Sequence, residues 1–173
     1  MTLDTYILRQ QVYRLLITLA IFYSRGLSPL IKITLILGID FVKNVYFFNV
    51  EDLPTLSSNK LYQEWDKVQD TFAYFLVLCL INTHNLITDS QNKILTLVLT
   101  IRTAGVIQML RTGERKYLLY FPDLFKETLL LFLLSCSFKS KVILGVLLLV
   151  FKIWLEYNFH IKKRGIVQIF KSF

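Results

Sequence analysis

Two cysteines, two histidines and three prolines are all that this 173-residue chain contains of those types. Cys79 and Cys136 each fall inside an apolar stretch, where a small hydrophobe belongs, so neither a disulfide framework nor a metal pair is expected. His84 and His160 stand near the ends of apolar stretches and complete no transition-metal constellation, so no metal site is expected. The six glycines, at positions 26, 38, 105, 113, 145 and 165, are scattered and form no phosphate-cradling loop. No HExxH and no convergent nucleophile and base is present. The chain is therefore read as a non-enzyme with no catalytic residues and no cofactor.

Acidic residues are also scarce. Twelve Asp and Glu face twenty Lys and Arg, a formal net charge of +8. In a soluble protein that excess would point to nucleic acid. Here the bases gather at the ends of apolar stretches, where they snorkel to lipid headgroups, and no nucleic-acid partner is expected. The opening Met1-Thr2-Leu3-Asp4-Thr5 has no basic region ahead of the apolar run, so no removable leader is expected.

Hydrocarbon is what the chain has in plenty. Hydrophobic residues make up 54% of it and Phe alone numbers 14, for a mean hydropathy of +0.52. These residues come in blocks rather than at strand period, and several blocks approach the roughly 20 residues a bilayer crossing needs. The expectation is an all-α, polytopic membrane bundle of about six helices, a single domain over 1–173.

In order, the blocks are 6–24, 30–48, 71–81 (extensible to 87), 93–110, 117–138 and 142–159. The first can span or lie flat at the interface, since Arg9 and Arg14 interrupt its early half. Gly26 suits its end, and Ser28-Pro29 reads as an N-cap followed by proline at the first helical position of the next block. Residues 49–70 form the longest polar interval, with five acids, which reads as solvated apart from a short surface helix carrying Leu61 and Trp65. Asp89-Ser90-Gln91-Asn92 reads as a turn and Lys139-Ser140-Lys141 as a tight connection. Pro122 is placed at a helix start, with an interfacial piece before it and a shorter span after it. Lys152 and Glu156 read as a local pair.

Most Lys and Arg outside the blocks, including Arg111, Arg115, Lys116 and residues 162–164, fall on the side of the termini in a six-span scheme. That bias predicts both termini on the cytoplasmic (or matrix or stromal) face of a multi-pass protein.

Two groups of residues are singled out. Asp40, with Lys43 one turn on, and Arg102 lie near the middle of separate blocks, each costing about 2.5–3.5 kcal/mol if left facing lipid. An Asp40–Arg102 pair would form an intramembrane polar centre, either a register-fixing contact or part of a path for ions, protons or a small solute. Alternatively Asp40 meets Lys43, and Arg102 finds backbone carbonyls or the Thr96 and Thr103 hydroxyls. Lys93, Arg102 and Arg111 do not form a voltage-sensor ladder, because Thr96, Leu99, Gly105 and Gln108 hold the intervening third positions. Thr96, Thr100 and Thr103 share a helix face of the small residues that membrane helix contacts favour. The second group is the connector Arg111, Arg115, Lys116 and Asp123, suited to lipid headgroups or an acidic partner surface.

The function expected is an accessory, assembly or structural component that packs against membrane lipids, other membrane proteins or further copies of itself. A channel or transporter built on Asp40 and Arg102 is the alternative.

Overall fold

The computed structural model describes residues 3–46, 59–135 and 137–160, and within them the side chains other than those of 40–46, 138, 156, 159 and 160. Among the described residues all regular structure is helical: α1 Leu3–Tyr23, α2 Pro29–Tyr46, α3 Lys60–His84, α4 Asp89–Thr112, α5 Lys116–Tyr120, α6 Phe125–Leu133 and α7 Phe138–His160. The chain divides into two compact units, Met1–His84 and Asn85–Phe173.

In the first unit, α1, α2 and α3 pack on one another. The start of α2 is as the sequence predicts. Ser28 accepts from the Ile31 N–H, and Pro29 occupies the first helical position, where its missing N–H costs nothing. Lys32 does not simply reach outward. Its ammonium donates to the Phe22 carbonyl at 3.0 Å, satisfying one of the acceptors left open at the end of α1.

The 49–70 interval needs correcting. From Lys60 onward it is the first half of α3, a 25-residue helix that runs through to His84 without a break. Asn59 starts it, its side-chain oxygen accepting the Tyr62 N–H at 3.1 Å. Helices carry polar first halves readily when that face is paired, and Asp66, Gln69 and Asp70 are buried in this one.

In the second unit, α4 packs on α5 and α6, and these two pack on α7. Val106, Met109 and Leu118 form a buried cluster between α4 and α5. Residues 89–92 are the first turn of α4, not a separate turn. Thr88 and Gln91 form a reciprocal capping box, which satisfies two backbone donors and starts the helix four residues before the apolar run. The helix ends at Gly113, whose φ of 72° is the left-handed conformation that suits glycine.

The 117–138 block is broken at Pro122, as expected, but the piece after the break is too short to span. Its pieces are the five residues of α5 and the nine of α6. Nine residues rise only about 13 Å, short of a bilayer's roughly 30 Å. Pro122 lies inside the break, three residues ahead of α6, because proline cannot continue α5. Residues 139–141 belong to the first turn of α7. Ser137 caps that turn, its carbonyl accepting from Lys141 and its hydroxyl from the Ser140 N–H. Lys152 on α7 pairs with Glu127 on α6 at 3.1 Å. The side chain of Glu156, the partner expected from spacing, lies outside the described residues.

Among the described residues one helix, α4, is long and apolar enough to cross a membrane by length and composition. α1 and α3 owe their polarity to Arg9, Gln10, Gln11 and Arg14 in the one and to the charged first half of the other.

Candidate functional site

The most concentrated chemistry of the first unit was not singled out in advance. Along α1 the buried positions are Ile7, Gln11, Arg14 and Thr18, spaced four, three and four apart on one stripe. Three of the four are polar, while Leu8, Val12, Leu16 and Ile17 on the other faces are exposed. Against that stripe α3 sets Asp66 and Asp70, which share a face because they are one turn apart.

Arg14 bridges the two carboxylates. Its Nη1 donates to Asp66 Oδ1 at 3.1 Å and its Nη2 to Asp70 Oδ1 at 2.6 Å. Lys67 closes the other side, with Nζ 3.0 Å from Asp66 Oδ2 and 3.2 Å from Asp70 Oδ2. The result is a ring of four charges that sum to zero, and every carboxylate oxygen in it faces a cation. Around the ring, Gln69 donates to the Gln11 carbonyl at 2.7 Å and Thr18 returns its hydroxyl to the Arg14 carbonyl.

The side chains of Arg14, Asp66 and Asp70 are at most 10% exposed. Charges at such depth are tolerable only when paired and hydrogen-bonded. The ring ties α1 to α3 and fixes their register. The clue in the sequence was the stripe: a helix whose every third or fourth residue is Gln, Arg or Thr needs a polar partner face, and Asp66-x-x-x-Asp70 supplies one.

In the second unit Arg102 is 1% exposed, among the largest fully buried side chains. Its Nη1 donates to the Phe121 carbonyl at 3.0 Å. That carbonyl belongs to the break between α5 and α6, where helical bonding has lapsed, so the guanidinium supplies a donor that the backbone there lacks. The contact is possible because Gly105, one turn along α4, has no side chain. A Cβ there would run into Phe121, reaching within 2.9 Å of its Cγ. Thr96, Thr100 and Thr103 turn their hydroxyls back to carbonyls of their own helix, and Thr96 and Thr100 are exposed. Of the anticipated centre, Arg102 is thus placed on a backbone carbonyl, and the side chains of Asp40 and Lys43 lie outside the described residues.

The connector residues separate. Arg111 and Lys116 are exposed, Arg115 is half-buried, and Asp123 turns inward with 8% exposure. Lys116 pairs with Glu114 at 2.5 Å and lies over the Tyr117 ring, 5.6 Å from its centroid. The hydrogen bond to Glu114, and then its charge, hold the Lys116 ammonium above the ordinary lysine value of 10.5. Beside the connector is a feature the blocks did not suggest, an open apolar groove of about 590 Å³. Leu119, Tyr120 and Pro122 line one side, and Ile153, Trp154 and Tyr157 of α7 the other. Among the described residues no three His, Cys, Asp or Glu side chains are grouped to hold a metal ion.

No protein-family model, curated protein or solved structure matches this chain.

Proposed function

We propose that this chain is a small multi-pass membrane protein serving as an accessory, assembly or structural component, and that it acts by packing against lipids and other membrane proteins. One observation supports the reading above all: long apolar faces are left exposed while several charged side chains are buried. On α4, Leu97 is 59% exposed and Ile107 51%; on α7, Ile143, Leu147 and Val150 are each 62–63% exposed. Buried among apolar side chains such as Ile7, Tyr74, Val77 and Leu95 are the charged groups of Arg14, Asp66, Asp70 and Arg102. In water such continuous apolar faces would be a severe aggregation liability, because monomeric soluble proteins rarely expose more than a few hundred Å² in one patch. In lipid they cost nothing, and the buried charges are then where the bilayer requires them.

The test is flotation of the full-length chain with phosphatidylcholine vesicles and its resistance to extraction by alkaline carbonate. Membrane retention is expected; a monodisperse, detergent-free protein in buffer overturns the proposal. Ion or solute flux through reconstituted vesicles that disappears in Asp40→Asn and Arg102→Gln would replace the accessory role with transport.

A further inference from the structure

We infer that the second unit carries a site for one anionic phospholipid, the phosphate held by the 111–116 connector and an acyl chain lying in the groove between α5 and α7. The inference rests on the membrane reading above and adds a headgroup preference to it. The groove's volume of about 590 Å³ falls within the roughly 300–1,000 Å³ of sites that hold a small molecule. Its walls are apolar and aromatic, and Tyr120 and Tyr157 stand 66% and 41% exposed beside it. Tyr and Trp with an apolar body and a polar tip belong at the depth of lipid headgroups.

Charge lies one helical turn away. Lys116 precedes Tyr120 by four residues on α5, so the two share a face. The exposed charges of the connector are Arg111 and Lys116 against Glu114, an excess of one positive charge. Lys116 contacts Glu114 at rest, and an ammonium has three donors, leaving capacity for a phosphate oxygen. A molecule with an anionic head and a long apolar tail matches this juxtaposition at both ends. A zwitterionic lipid matches only the apolar end.

The experiment uses the full-length chain with Trp65→Phe, which leaves Trp154 in the groove as the sole tryptophan. It is reconstituted in phosphatidylcholine vesicles where a fixed fraction of dibrominated acyl chains is carried by either phosphatidylglycerol or phosphatidylcholine. Quenching of Trp154 is expected to report tighter association of brominated phosphatidylglycerol, by about five-fold for each base engaged. Arg111→Gln with Lys116→Gln should bring the two lipids level. Ile153→Phe, which narrows the groove and spares the charges, should weaken the phosphatidylglycerol-specific part. Equal quenching by the two lipids in the unmutated connector overturns the site while leaving the membrane reading intact. Absence of quenching by either lipid, in a chain that floats, also overturns it and indicates a groove covered by protein. Failure to float at all defeats the membrane reading instead.

Discussion

The two units bury charge by opposite means. The first keeps its helices whole and answers a buried arginine with two carboxylates and a lysine, so that charge cancels within a ring of side chains. The second answers a buried arginine with its own backbone. Arg102 meets the Phe121 carbonyl in a break between two short helices, and Gly105 makes room for the approach. A side-chain ring fixes register between elements that are individually sound. A backbone contact stabilises a segment that could not otherwise bury its interrupted hydrogen bonding. Loss of the arginine should therefore act differently in each unit.

The comparison can be broken most forcefully at Arg14. Arg14→Ala takes from the buried Asp66 and Asp70 the guanidinium that bridges them, and stranding one side of such a pair costs about 3–5 kcal/mol. Thermal unfolding of the full chain, with proteolysis localised to residues before 85, should show the loss. Adding Asp70→Asn to Arg14→Ala should restore part of it, since the surplus charge disappears with its partner. If the double variant is no better than the single one, the ring is not the unit of stability.

A smaller effect is expected at Gly105. Gly105→Ala pushes a methyl group into Phe121, an overpacking cost of about 1–3 kcal/mol, partly offset by alanine's advantage of about 1 kcal/mol in helix propensity. Because the collision is with the Cβ of Phe121 as well as its ring, Phe121→Ala should not relieve it and Phe121→Gly should. Unfolding midpoints of the four proteins sharpen the contrast: no equivalent close backbone approach is needed for the charge ring.

The least effect belongs to the exposed pair in the connector. The Lys116 value is raised by Glu114, so the pair's contribution is complete below about pH 10.5, the ordinary lysine value, and fades as pH rises through the folded value. Glu114→Gln should return the Lys116 titration to its ordinary range, measured by NMR of the lysine ε-methylene. An unchanged titration would mean that the contact is not made in solution.

Much of the helical pattern was legible, and the misplacements are instructive. Ser28-Pro29 marked the start of α2 because capping and proline's fixed φ are local effects. Thr88-x-x-Gln91 carried an equally local signal, yet its four polar residues resembled a turn because the apolar period begins only afterwards. The break at Pro122 was expected, but its consequence was not: no local rule says that α6 stops after nine residues. Arg14 shows the deeper limit. Its place near the start of an apolar block suits a snorkelling base, and the acids of α3 suit solvent, until tertiary packing sets them face to face. The partner of Arg102 was foreseen only as one option, a backbone carbonyl somewhere, since the donor's need is chemical and its address is spatial.

The amino-acid sequence by itself determined that this chain forms helices, where the first two of them lie, and that its buried charges would require partners. Those properties follow from hydrophobic blocks, caps and the cost of desolvating an ion, all of which act within a few residues. Tertiary structure alone decided which partners were chosen: Asp66 and Asp70 for Arg14, the Phe121 carbonyl for Arg102. Pairing across more than fifty residues, or onto the carbonyl of a broken segment, depends on which helices meet and at what depth. No local rule encodes that.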